Sequence, residues 1–583
     1  MSIRATNHNP EYAVALPPQE VTGQSGRKRR QATGLYGPSR MSPGSVVETL
    51  TSLCLQNIAE NMQSVWMADY TDKNMEEYNF LYIEGPFNQL AGPLVQQLIQ
   101  ILGDSHKLTK AGLHLLLHPH LTELSLRPCA SLVNKAMVQL VTVRCKFLTS
   151  LDLHSCNRVP AASLALLVER LPRLQKLYLA DTQSDSLVLA AIGSFCQRLR
   201  ELDLSRCKKI SASSLLTLVY DARTGRFCCQ ALRVLLLQDV MPQGNLEQWV
   251  YAICFVLLAL PYLEQFANPS MADAMRLLYL RKLNPSNFPP ENFPSLSEVA
   301  KTRLARVDKK VNTRTVAEDT KLCLKKLEDL DEDDACTLGS LCQGLEEVGI
   351  SLSNQTEGSW SLVQWPNLTR LILHCPECPQ RRLEEVLTTI HPISKNLRLL
   401  SLQNLLWCHE ESLSTLVTWC PNLQSFQSHL TVPRHTASRN GPELPPWPVD
   451  PLLLPHLHTF SLLLEGEEVL HPTFLHKLGG FLVSLLKGCP KLESLSLCRI
   501  PAPLDGVFEA VYGSHQPEPL QKLREVSLCS SNITQWGVSL ILRAKNDLKT
   551  LDLSHCKDVT CRDHHKLQER ARQDKRSVSI TWQ

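Results

Sequence analysis

The chain has 583 residues, 43% hydrophobic and 20% charged, with a formal net charge of +3. That balance is ordinary for a soluble polypeptide and argues against a chain-wide surface for nucleic acid or anionic membrane. The longest apolar run, 252–260, stops at Pro261, far short of the roughly twenty residues that cross a bilayer. Residues 1–15 lack the apolar stretch of a signal peptide, so the 21 cysteines read as free thiols in a reducing compartment, cytoplasmic or nuclear.

In chain order, residues 1–44 are rich in Pro, Gly, Ser, Asn and Gln without apolar periodicity and read as a disordered tail. Arg27, Lys28, Arg29 and Arg30 form a basic cluster within it, either a nuclear address or a solvated stretch. From 48 to 62 the sequence is amphipathic. Leu50, Cys54 and Ile58 fall at i, i+4 and i+8, with Leu53 and Met62 widening the stripe. By periodicity alone this helix is an N-terminal cap. A polar connector over 66–77 leads to a second helix with Pro93 in its first turn and Leu94, Leu98, Ile101 and Leu102 as its stripe. Residues 45–108 thus form a small helical region. His114 and His118 follow, one turn apart, with no further ligand close in sequence; they read as outer-face residues, and no metal is expected.

At Leu121 a frame begins, Leu-x-x-Leu-x-Leu, which returns from Leu148, Leu174, Leu199 and Leu232 and again from Leu368, Leu397, Leu492 and Leu548. Softer copies start at Leu345, Leu457 and Leu523. A fixed period in the twenties with this spacing is the mark of leucine-rich repeats. The second and third leucines share one side of a short strand, and stacked copies bury them together. The expected fold is α/β, a leucine-rich-repeat solenoid or horseshoe with parallel strands and outer helices, preceded by the helical region. Residues between the leucines line the concave face. Asp152, His154, Lys176, Tyr178, Glu201, Asp203, Arg370 and His374 are the candidate contacts for a protein partner.

The first array covers 109–283, with Leu263 and Phe266 as a degraded strand. Residues 284–344 break the rhythm: Pro289, Pro290 and Pro294, then a basic block from Lys301 to Lys310, then an acidic one from Glu328 to Asp334. They read as a solvated charged insertion. The pattern is compatible with one bent solenoid and with two separate arrays. The second array and its C-terminal cap cover 345–583, with a Pro-rich loop over 433–455. Cys375 and Cys378 make a single Cys-x-x-Cys just after a strand and read as structural.

Thr49-Leu50-x-x-x-Cys54-x-x-x-Ile58 resembles the elongin-binding BC-box: a small or polar residue, Leu, three of any kind, Cys or Ser, three of any kind, then an aliphatic residue. Its position upstream of a leucine-rich array is similar to that in substrate receptors of elongin–cullin ubiquitin ligases, such as the Zyg-eleven-like and PRAME-like families. The resemblance implies that Leu50 enters a pocket on elongin C and that Cys54 lets the helices approach, with Leu53 and Ile58 on the same ridge. It further implies elongin B/C and a cullin as partners, type 2 favoured, with Pro93, Leu94 and Leu98 in the cullin-box-like helix. Gly85 and Gly92 stand where that pattern has an aliphatic residue before Pro, and the Leu-Pro-x-Pro form of the type 5 class is absent.

No phosphate loop, nucleophile elbow or His-Glu-x-x-His motif occurs, and no catalytic residue or cofactor is expected. The expected function is substrate recognition within an elongin–cullin RING ligase. Two alternatives stand beside it. One is an F-box-like receptor using the Skp adaptor; the other is a leucine-rich interaction scaffold outside any ligase.

Overall fold

The computed structural model describes residues 49–67, 85–241, 244–280, 292–307, 321–353, 362, 365–376, 381–409, 411–433, 451–466, 471–513, 519–574 and 576–582. The tail with its basic cluster, most of the connector, Cys378 and most of the Pro-rich loop lie outside these residues. Three helices come first: α1 (Leu50–Glu60), α2 (Gly92–Asp104) and α3 (Lys110–Leu116). The strands follow as β1 (Glu123–Ser125), β2 (Ser150–Asp152), β3 (Lys176–Tyr178), β4 (Glu201–Asp203), β5 (Tyr220–Asp221), β6 (Arg226–Phe227), β7 (Val234–Leu236), β8 (Gln265–Ala267) and β9 (Lys326–Asp331). Then come β10 (Glu347–Ser351), β11 (Arg370–His374), β12 (Leu399–Leu406), β13 (Ser425–Val432), β14 (Thr459–Gly466), β15 (Ser494–Cys498), β16 (Glu525–Ser527), β17 (Thr550–Asp552) and β18 (Ser579–Thr581). Apart from the β5–β6 hairpin, they join in chain order into one sixteen-stranded sheet. The architecture is a leucine-rich-repeat solenoid.

The frame dictates this arrangement. Register places Leu124, Leu151, Leu177, Leu202, Leu235 and Phe266 side by side, all facing the core. Burial of each such side chain contributes about 1.5–3 kcal/mol. The residue after the first frame leucine donates its N–H to the equivalent carbonyl one repeat earlier. This ladder runs from Thr149 on Thr122, through Lys325 on Glu264 and Glu346 on Lys325, to Lys549 on Arg524. After each strand the chain must turn away to its helix. Ser155, Asp181, Arg206, Asp239, Arg499, Ser530 and His555 make that turn with φ between 54° and 61°, while Asn404, at φ 64°, forms a bulge inside β12. Where the frame reads Leu-Asp-Leu, the Asp side chain accepts the N–H two residues on, as Asp152 does from His154 at 2.9 Å and Asp203 from Ser205 at 2.9 Å. The next residue but one is Cys, Ser or Thr, and its side chain satisfies a strand-end carbonyl. Cys207 Sγ lies 3.1 Å from Leu179 O, Cys556 Sγ 3.0 Å from Leu528 O, and Ser531 Oγ 2.7 Å from Leu497 O.

Within 284–344, the described residues from Leu324 to Asp331 are not part of an insertion. β9 is a strand of the sheet, between β8 and β10. Its buried residues run Leu324, Leu327, Leu330, one residue wider than the frame, and the register against β10 shifts between Val348 and Ile350 to take up the extra residue. Nor is the acidic block wholly solvated. Glu332, 2% exposed, pairs with Arg381, and Asp334, 3% exposed, pairs with Arg276. From the basic block, Arg303 is buried and donates from Nη1 to Leu257 O at 2.7 Å, closing the end of the helix Leu246–Ala259. The question of one solenoid or two is answered by this segment: the sheet is continuous. His118 is also buried rather than on an outer face.

Candidate functional site

Thr49 starts α1, its Oγ1 accepting the Ser52 N–H at 3.2 Å. Leu55, Ala59 and Met62 are buried, and Ile58 packs partly against the same core, so this face seats the helix on α2. A π-helical turn, Met62–Met67, follows, with Trp66 5.3 Å from Phe87 between ring centres. On the other face Leu50 is 78% exposed, Leu53 is 50% exposed and Cys54 is exposed. The helix therefore carries two apolar faces. Met62, which periodicity puts on one stripe with Leu50 and Cys54, packs inward instead, and Ile58 lies at the boundary.

The sheet's first edge is closed by α2. Gln96 behaves as a strand would: its Oε1 accepts the Ser125 N–H at 2.8 Å and its Nε2 donates to Ser125 O at 3.1 Å. Val95, Leu98, Ile99 and Leu102 of α2 are buried. Leu98 at 0% exposure cannot meet a partner, which corrects its assignment to a cullin-contacting stripe. Pro93 is exposed and Leu94 half-buried at the start of the helix. Gly85 has its own structural cause: a Cβ there would overlap the carbonyl oxygen of Leu115, so the aliphatic residue of the cullin-box pattern has no room. Gly92 has ordinary space around it.

The open face of the sheet carries the remaining candidates, in two separate groups. On β2–β4, Tyr178 donates its hydroxyl to Glu201 Oε2 at 2.6 Å and Lys176 Nζ lies 2.8 Å from Glu201 Oε1. Burial pushes Glu201 up, but the hydrogen bonds from Lys176 and Tyr178 outweigh it and hold the carboxyl below its usual range. Burial and then the Glu201 carboxylate push the Tyr178 phenol up. Asp152 accepts Ser125 Oγ at 2.8 Å besides its turn contact. His154 sits in that turn, and Asp203 makes the same turn one strand beyond β3. The second group is on β11, where Arg370 Nε is 3.0 Å from Glu347, itself 2.8 Å from Lys326. His374 is half-buried at the end of that strand. These charges are largely matched among themselves.

A different surface, not singled out by sequence, lies over β12–β15. Here β12, β13 and β14 have eight residues each against three in β1–β4, widening the face. Its first two aligned rows are uncharged, Leu399, Ser425, Thr459 and Ser494, then Ser401, Gln427, Ser461 and Ser496; further along the strands Glu465 lies 3.3 Å from His429 and 3.1 Å from Arg499. The signal was present in the residues between the frame leucines, whose neutrality means little until register aligns them. Among the described residues, no group of three or more His, Cys, Asp or Glu is arranged to hold a metal, and no helix is long and apolar enough to cross a membrane.

No family model matches the chain, and no curated protein matches it. Among solved structures it is similar to the Rad7 and Elc1 complex of yeast, at 13% identity and a TM-score of 0.37, over 92% of this chain and 98% of that one. It is also similar to the leucine-rich-repeat protein LIC12759 of Leptospira interrogans, at 13% identity and a TM-score of 0.31, over 81% of this chain and 92% of that one.

Proposed function

We propose that this protein is the substrate-recognition subunit of an elongin–cullin RING ubiquitin ligase. In this reading α1 docks on elongin C through Leu50, Leu53 and Cys54, and the open face of the sheet holds a protein substrate. One observation carries it: α2 already closes the sheet edge through Gln96, so capping does not account for the second apolar face of α1. That face bears the Leu and Cys of the BC-box pattern, one turn apart, as helix-in-groove docking requires. Pro93 and Leu94 are what the start of α2 offers to a cullin of the type 2 class. The protein makes no bond itself here. Ubiquitin transfer belongs to the recruited RING subunit and its conjugating enzyme, while the receptor raises the substrate's effective concentration beside them. A cytoplasmic or nuclear location goes with this role.

Co-expression with elongin B/C tests it. A stable complex should co-purify, and Leu50→Ala with Cys54→Phe should abolish it while the thermal transition stays in place, because both side chains are exposed. Failure to co-purify, or loss of thermal stability in the double variant, would contradict the reading. Co-purification of Skp instead would identify an F-box-like receptor.

A further inference from the structure

Where the strands begin, the sheet has an edge row of one residue per repeat, the same residues that make the backbone ladder. Most charges along the central stretch of this row are matched. Glu264 pairs with Arg233 and lies 3.4 Å from Lys325, which is 3.5 Å from Glu346. Further on, Glu493 lies 2.9 Å from Arg524 and 3.6 Å from His458. Between these two groups the row reads Thr369, Arg398, Gln424, one guanidinium and no carboxylate among the three.

A cleft of about 790 Å³ opens at this gap, and Arg398, Lys395 and His456 line it. Neither Arg398 nor Lys395 has an ion-pair partner among the described residues, and both are exposed. The loops that form the walls are pinned. Asn396 Nδ2 donates to Pro366 O at 3.2 Å and Asn422 Nδ2 to Lys395 O at 2.8 Å, so the cleft is built before any ligand arrives. The one carboxylate in the lining, Glu346, is engaged by Lys325.

We propose that this cleft binds an acidic segment of a partner protein, with Asp or Glu carboxylates on Arg398 and Lys395. The guanidinium fork matches a carboxylate with two parallel hydrogen bonds. Arg398 and Lys395 stand together at the start of β12, and the lining continues across the next two repeats through Asn422 and Gln424 and then His456. An extended chain can therefore run along strands about 4.8 Å apart and place further carboxylates or carbonyls on these donors, which one compact anion cannot do. The site is separate from α1 and does not depend on the adaptor reading.

The full chain, without elongin, is titrated into a fluorescein-labelled oligoglutamate peptide and into an oligoglutamine of the same length, with anisotropy as the readout. Oligoglutamate should bind, more weakly as salt rises, and oligoglutamine should not. Arg398→Ala with Lys395→Ala should weaken binding by about tenfold or more, the loss expected for a charge-assisted contact. Arg524→Ala removes a guanidinium already paired on the same edge and should leave binding unchanged. Absence of oligoglutamate binding, equal binding of oligoglutamine, or an Arg524→Ala loss as large as the double variant's would overturn the proposal.

Discussion

Leu327→Ala probes the segment whose place in the sheet departs most from the sequence pattern. Leu327 is 1% exposed on β9 and aligned with Val348 of β10. Truncation removes three side-chain carbons, about 2.4 kcal/mol at roughly 0.8 kcal/mol each. The cavity left behind brings the expected loss to about 2–5 kcal/mol. Each repeat of a solenoid holds only its neighbours, so the loss should propagate as weakened coupling between the two halves. Guanidinium unfolding gives the total, and backbone hydrogen exchange gives its distribution. Exchange should accelerate in β8 and β10 together with β9, while β2–β4 and β16–β17 change little. If 284–344 were a pendant insertion, the substitution would cost under about 0.5 kcal/mol and β8 and β10 would keep their protection. That result would refute the continuous sheet.

Two further outcomes follow from the same packing. Native alkylation read by mass spectrometry should label Cys54 and Cys561, which are exposed, well before Cys145, Cys196, Cys420 and Cys489, whose thiols burial pushes up to about 12; protection of Cys54 would mean its face of α1 is covered. Burial, and then the Arg144 charge, hold His114 down at about 4 against an ordinary 6.5. The unfolded chain therefore binds a proton between those values that the folded chain refuses, and stability present above pH 6.5 is lost as pH falls towards 4. The loss should be about 1–2 kcal/mol after allowance for solvent screening of a partly exposed ring. Urea melts across this window should show the slope in the native protein and a flatter one in His114→Gln; equal slopes would contradict the assignment.

The frame leucines were legible because their spacing is a local property, and every strand they mark is in the sheet. Leu324, Leu327 and Leu330 were not, because a bulge stretches the spacing and the flanking residues are charged. Charge is a poor guide to burial there for a non-local reason. Glu332 and Asp334 become buried partners of Arg381 and Arg276, which lie 49 and 58 positions away in the chain. The helical region shows a related limit. Periodicity finds an apolar stripe but cannot say what it packs against: Met62, on one stripe with Leu50, and Leu98, which the cullin-box resemblance implies as a contact, are both core residues. Leu50, Leu53 and Cys54 stood out through residue identity, and their exposure is a fact of packing that sequence alone does not supply. The repeat frame marks each candidate residue of the open face separately, and register divides them between β2–β4 and β11.

The central claim is that α1 turns a docking ridge outward. The affinity of purified elongin B/C for the full chain, compared with Leu50→Ala, measures it most directly. Docking would bury a leucine that is 78% exposed in the free chain, an effect of about 1.5–3 kcal/mol, so the variant should bind about ten- to a hundredfold more weakly with its thermal transition unchanged. Equal affinities for the two proteins, or no measurable binding by either, would contradict the account.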